Sequence, residues 1–290
     1  MASYDRRRRR PPWRCPVCKG ALGLDEEERR WVCPGDHSFD VARQGYVNLL
    51  LAGQRRSRKP GDSPEMVSAR NRFLATGAFD PISAELAEVV GREGPEIVID
   101  VGCGEGRHTR HLEAPVVLGV DVAKSAVAIA ARSDPGGWYA VASAAELPLE
   151  DAAVDAAVDV FGPVFPAELA RVVRTDGSVV AVHPGPDHLA NLRALVYADA
   201  RPHEVKPPLR GAMDLFVLVE STSVSFPVVV PDADLLEDLF TMTPYRWHAP
   251  SDIRERLATA ASPCFRTVAD VRLSTYRRTD RPHAPIDGSA

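Results

Sequence analysis

A chain of 290 residues with 45% hydrophobic content carries enough apolar material for one large α/β domain and a small companion. A formal charge of −5 excludes a global attraction to nucleic acid, so any such contact needs local basic patches. No apolar run has the length of a membrane span, no apolar stretch follows Arg6–Arg10, and the cysteines are too unevenly placed for a disulfide framework, so a cytoplasmic protein with no membrane partner is expected.

Residues 1–12 are basic and proline-rich and read as a disordered tail; a touch on RNA is the other reading of its arginine run. Residues 13–52 form a unit of their own. Cys15, Cys18, Cys33 and His37 follow a C-x2-C-x14-C-x3-H spacing. That set offers three soft thiolates and one imidazole, a tetrahedral donor group suited to Zn²⁺. Four protein ligands leave no open position, so the metal would be structural. So short a unit buries too little core to fold alone, and the metal offsets that deficit. The intervening DEEERRW reads as a hairpin tip before a returning strand, Trp31–Cys33.

Residues 53–95 read as a basic linker and two helices. Arg55, Arg56, Arg58 and Lys59 form the linker's charge cluster, a candidate grip on RNA phosphates. Ser63, Pro64 and Glu65 have the residue types of an N-cap, a first helical position and a first-turn acid, and the helix is expected to reach Thr76 and stop at Gly77. Arg70 and Arg72 on this helix either extend the phosphate patch or form a solvated face. Asp80 and Pro81 are expected to cap a second helix ending near Val90.

Residues 96–277 alternate as a doubly wound sheet does. Strands are expected at Ile97–Val101, Val116–Asp121, Trp138–Val141, Val154–Val160, Ser178–His183, Val224–Val230 and Phe265–Leu273. Helices are expected at Arg107–Glu113, Lys124–Arg132, Pro166–Val173, Asp187–Ala198, Asp232–Met242 and Ser251–Ala260, with Asp232 and Ser251 as N-caps. Residues 278–290 read as a mobile tail.

The most informative stretch is VIDVGCGEGRHTRHL, Val98–Leu112. An apolar run ends in Asp100, and Gly102, Gly104 and Gly106 follow at alternate positions. This reads as a buried parallel strand, a tight glycine turn and a helix start, where backbone N–H groups face a ligand. Asp121 closes the next strand, where a ribose-gripping carboxylate sits in nucleotide-binding units. Cys103 reads as a small residue in a crowded turn, since no histidine–carboxylate partner set accompanies it.

D-x-G-x-G-x-G resembles motif I of S-adenosylmethionine-dependent methyltransferases. The resemblance implies that Asp121 binds the cofactor's ribose and that Asp100, Gly102, Gly104, Glu105 and Gly106 lie against its methionine moiety. Three further loops share that end of the sheet. One is Asp121 itself. ASAAEL, Ala142–Leu147, resembles an adenine-bordering segment and equally suits a plain turn. The last carries Asp159 and Phe161, where an aromatic can stack on a flipped base and a carboxylate can take a proton from a guanine edge.

A wider resemblance rests on CPVC, CPGDHSFDVARQGYVNLL, RRSRKPGDSPEMVSARNRFLATGAFDPI and VIDVGCGEG. Together they resemble the RlmA/TlrB family of 23S ribosomal RNA (guanine-N1)-methyltransferases. The resemblance implies a Rossmann-like class I methyltransferase sheet with a small N-terminal zinc-binding domain. It implies S-adenosylmethionine and Zn²⁺, a hairpin loop of 23S rRNA as substrate, and a homodimer. It places Phe79 where a family aromatic contacts the cofactor and His188, in PGPDHL, where a family histidine does. MTPYRW resembles a segment that closes over the active site; Tyr245 and Trp247 there suit either base stacking or core packing. One family branch serves housekeeping and the other contributes to macrolide resistance, and GCGEG looks closer to the housekeeping branch. Methylation of another RNA or a small molecule, or RNA binding without catalysis, are the competing readings.

Overall fold

The computed structural model describes residues 9–54 and 61–279. The linker cluster Arg55, Arg56, Arg58 and Lys59 therefore lies outside the described residues, as do most of both tails.

The N-terminal unit is built on three very short antiparallel strands: β1 (Gly23–Leu24), β2 (Arg30–Val32) and β3 (Ser38–Asp40), in the order β1-β2-β3. Asp25 organises the hairpin tip by accepting the backbone N–H groups of Arg29 and Arg30 at 2.7 and 3.1 Å. The next strand, β4 (Tyr46–Asn48), leaves this small sheet. It pairs in parallel with β7 (Trp138–Val141) and becomes the edge of the large sheet.

The large sheet also contains β5 (Ile97–Val101), β6 (Val116–Asp121), β8 (Val154–Val160), β9 (Val173–Pro184), β10 (Phe216–Val230) and β11 (Phe265–Arg278). Its order is β10-β11-β9-β8-β5-β6-β7-β4. Pairing is parallel from β4 to β9, and β11 and β10 then add antiparallel. Strand order reverses between β5 and β8, which opens a ligand crevice at their carboxyl ends.

Seven helices are described: α1 (Pro64–Ala75), α2 (Asp80–Gly91), α3 (Lys124–Ser133), α4 (Pro166–Val172), α5 (Ala190–Val196), α6 (Ala233–Thr241) and α7 (Ile253–Ala260). Ser63 caps α1 by accepting the Met66 N–H, and Asp232 caps α6 by accepting the Leu235 N–H. Other ends depart from expectation. Phe79 is the N-cap of α2, and Asp80 instead pairs with Arg107. Asp252, not Ser251, precedes α7. The run Arg107–Glu113 yields only a 3-10 turn, Thr109–His111. Its seven residues include a threonine and two histidines, poor helix formers, between Gly106 and Pro115. Strands β10 and β11 extend well past their apolar runs because they pair with each other along almost their whole lengths. The outer end of β10 is exposed, so its residues carry little apolar signal.

Alternate residues of each central strand face opposite sides. Val98 and Val158 join Ile82, Leu86 and Leu239 in one core layer. Ile99, Leu118 and Ala157 join the other, which also takes in Trp13, Cys15, Trp31 and Cys33. The N-terminal unit thus packs its interior onto one face of the large sheet. Among the described residues, no helix is long and apolar enough to cross a membrane.

Candidate metal centre and cofactor site

Two turns bring the four metal-binding side chains together. Lys19 and Asp36 adopt left-handed backbone conformations, with φ of 63° and 59°. Their chain segments close through Lys19 N–H to Cys15 O at 2.9 Å and Asp36 N–H to Cys33 O at 3.0 Å. The ligand atoms of Cys15, Cys18, Cys33 and His37 all lie within 4.8 Å of one another. Sγ of Cys33 is 3.4 Å from Sγ of Cys18 and 3.4 Å from Nδ1 of His37. A Cβ on Gly35 would sit 3.5–3.7 Å from Cys18 Sγ, His37 Nδ1 and Cys33 Sγ, so the turn wraps closely around the site. Three sulfurs and one nitrogen converging this tightly fit tetrahedral Zn²⁺.

The cofactor cradle lies at the carboxyl ends of β5 and β6. Gly102, Gly104 and Gly106 all have positive φ. A Cβ on Gly106 would meet the Ala130 Cβ at 2.9 Å, so only glycine lets the loop rest on α3. The turn after it does not form the expected α-helical start but a short 3-10 turn. Asp121 accepts the N–H groups of Gly104 and Ala123 at 3.0 and 2.7 Å. Those bonds fix its carboxylate against the glycine loop, although burial raises its pKa. Asp100 is buried, and Thr109 donates to its Oδ2 at 2.5 Å. Burial pushes the Asp100 carboxyl up to about 7. Burial also raises Glu105 and drives the Cys103 thiol well up, which leaves that thiol protonated and unsuited to nucleophilic attack.

Three buried polar atoms around this crevice make no hydrogen bond to the described residues: Asp100 Oδ1, Glu105 Oε2 and His188 Nδ1. Unpaired buried polar atoms are costly and mark places where a ligand completes the bonding. Acceptors and a histidine nitrogen suit a ligand bearing an ammonium and ribose hydroxyls, so these residues fit S-adenosylmethionine. Phe79 is buried against Phe73 and Phe226, and its ring lies 6.2 Å from that of His188. Burial pushes His188 down to about 4, so its imidazole is neutral.

Asp159 is the penultimate residue of β8, and Phe161 follows the strand, at the other side of the switch point. Asp159 accepts the Gly162 N–H at 2.9 Å, and burial pushes its carboxyl up to about 6. Phe161 is 41% exposed, has φ of 58°, and holds its ring 5.3 Å from His188. A bulky residue held left-handed and in solvent is strained, and such strain clusters at binding sites. Trp247 is 66% exposed, with the Arg246 guanidinium 5.1 Å over its ring.

The structure narrows readings that the sequence left open. Tyr245 is no stacking surface: it is buried in the core, with its hydroxyl and His203 Nε2 hydrogen-bonded at 3.0 Å. Arg70 and Arg72 do not share one phosphate patch: the Arg72 side chain stays at the surface, while that of Arg70 is largely covered. Arg72 donates to both oxygens of Asp238, clamping α1 to α6, and Arg70 turns inward to Asp62. Glu146 of ASAAEL pairs with Lys19 of the zinc-binding unit, so this loop also ties the two regions together. That contact and the inward Arg70 escaped sequence reading; only the PGD block before α1 hinted that this helix is more than a spacer.

The RlmA N-terminal zinc-ribbon family matches residues 13–58, and a methyltransferase domain family matches residues 99–181. A relative from Micromonospora griseorubida is 36% identical, covering 92% of this chain and 97% of its own. The 23S rRNA (guanine(748)-N(1))-methyltransferase of Streptomyces fradiae is 35% identical, covering 84% of this chain and 89% of its own. The protein YxjB of Bacillus subtilis (strain 168) is 29% identical over 83% of this chain and 88% of its own. With the zinc ribbon, the glycine cradle and full-length relatives in one chain, this protein belongs to the RlmA family of S-adenosylmethionine-dependent 23S rRNA (guanine-N1)-methyltransferases.

Proposed function

We propose that this protein, in the cytoplasm, methylates N1 of a guanine in a hairpin loop of 23S rRNA. The observation that carries the reading is Phe161, a strained, solvent-facing ring against His188 beside the glycine cradle. Unpaired loop bases are the parts of RNA that proteins stack and read most readily. A loop guanine leaving its stack finds in Phe161 a surface next to the cofactor. S-adenosylmethionine supplies the electrophilic methyl group when bound. Phe161 orients the purine, Asp159 accepts the N1 proton, and Asp121 and the glycine loop hold the cofactor so that the two reactants align.

The linker bearing Arg55, Arg56, Arg58 and Lys59 is the proposed phosphate grip. Its flanks support this. Gln54 reaches Glu146 beside the zinc-binding unit, and Gly61 packs on Val122 and Ala123, next to Asp121. Trp247 adds a second stacking surface. A homodimer brings two such surfaces to one RNA; a concentration-independent monomer mass by light scattering would remove that part.

Primer extension on the isolated hairpin, after incubation with protein and cofactor, tests the reading. A methyl on N1 blocks pairing, so a stop at one loop guanine is expected. No stop would overturn the substrate. The likeness to the Streptomyces fradiae enzyme favours a stop at the nucleotide equivalent to guanine 748 and a contribution to macrolide resistance. The housekeeping-like glycine loop favours another guanine of the same loop, and the position of the stop separates the two.

A further inference from the structure

The cofactor crevice is strongly acidic. Asp62, Asp100, Glu105 and Asp121 all act on one another or on their neighbours through space. S-adenosylmethionine brings two positive groups, the sulfonium and the ammonium, which such a site welcomes. It also brings one carboxylate, which the site would repel without a cation at hand. His188 is neutral and cannot serve.

Arg70 meets the requirement. It projects from α1 into the crevice, where only a quarter of its side chain remains exposed. One guanidinium nitrogen, Nη2, is occupied: it bonds Asp62 and lies 3.4 Å from Met242 O. The other, Nη1, makes no hydrogen bond to the described residues. It is the atom that a Cβ on Gly104 would meet, at 3.7 Å. Asp62 and Met242 thus fix the plane of the guanidinium while its free edge faces the glycine loop. Glu105 and Asp121 face the same group and keep it charged.

We propose that Arg70 receives the carboxylate of the cofactor's methionine moiety, with Asp62 as the positioning residue that aims it. This rests on the cofactor reading above and adds to it a residue on α1, outside the glycine loop and the β6 end. A guanidinium edge facing a carboxylate is the geometry in which charge-assisted pairs are strongest. The cation also offsets the acidic lining when no cofactor is bound.

Calorimetric titration of the full-length protein with S-adenosylmethionine and with its decarboxylated analogue tests the assignment. The two ligands differ only in the carboxylate. Wild type should prefer the intact cofactor by about tenfold or more. Arg70→Met, which keeps the packing of the stem, should lose that preference and leave affinity for the analogue within about twofold. Arg70→Lys should keep part of the preference, since the charge remains and the planar edge does not. Equal weakening of both ligands in Arg70→Met would show a structural role and overturn the proposal, as would no weakening of either. Should Arg70→Met fail to fold, wild type and Arg70→Lys decide: a wild type that binds both ligands alike overturns it. A wild type that binds neither overturns the cofactor reading as well, an outcome distinct from all the others.

Discussion

The zinc site and the cofactor cradle are built in opposite ways. The metal ligands sit on tight turns beside strands of only two or three residues, a scaffold that a bound zinc ion would hold together. The cradle hangs from the ends of β5 and β6, whose interiors are fully buried in an eight-stranded sheet. Its geometry exists before any ligand arrives, because the sheet pins Asp100 and Asp121 in place. One site makes its fold; the other is made by its fold. Yet the two are not independent, since Trp13, Trp31 and Cys33 share a core with Ile99 and Leu118, and β4 completes the sheet.

The sharpest way to break this contrast is to take the metal away. Cys33→Ser or a strong chelator should remove zinc and unfold the ribbon, since structural zinc contributes about 10–16 kcal/mol in comparable small units. Amide exchange should show protection lost across β1–β3 and kept in β5, β6 and β8. Ribbon amides that stay protected in metal-free protein would mean that the shared core, not zinc, orders this unit.

Asp121→Ala acts on the preformed site. It should weaken S-adenosylmethionine binding by about 1.5–3 kcal/mol for each charge-assisted bond lost, without altering zinc content. Calorimetry beside elemental analysis checks both halves, and unchanged affinity would show that Asp121 is not the ribose ligand. Phe161→Ala should cost about 1–3 kcal/mol of transition-state stabilisation through lost base stacking, with cofactor affinity preserved. A variant with unaltered kcat/KM on the hairpin would remove Phe161 from the RNA site.

The last prediction concerns Asp159 and is read through pH. Burial pushes its carboxyl up to about 6. Only the ionised form accepts a proton, so the rate should fall as pH drops below about 6, approaching tenfold per unit, and level off above it. Asp159→Asn should abolish that acid limb along with most of the activity. A limb of the same midpoint in the variant would assign it to another group.

The zinc ligands were legible because their spacing carries the chemistry: C-x2-C and C-x3-H are local, and a metal imposes the same short turns wherever it binds. The central strands were legible as well, Ile97–Val101 and Val116–Asp121 ending where their apolar runs end. Fully buried parallel strands must be apolar throughout, and that requirement writes their bounds into the chain. The glycines were readable as a tight turn for a related reason, since positive φ at three alternate positions admits few other residue types.

What depends on distant partners was decided only in three dimensions. Tyr245 carries the same residue type whether it stacks a base or fills a core, and His203 and Tyr197 settle it as core. Arg70 and Arg72 look alike in sequence, yet Asp62 draws one into the crevice and Asp238 holds the other at the surface of α6. The polar half of β10 is a strand because β11 offers it hydrogen bonds, not because its side chains ask for one. Local sequence determined backbone turns, metal ligands and apolar periodicity, whose causes act over a few residues. Tertiary structure decided the destination of each arginine and aromatic ring, because burial and charge pairing depend on neighbours that may be 166 residues away along the chain.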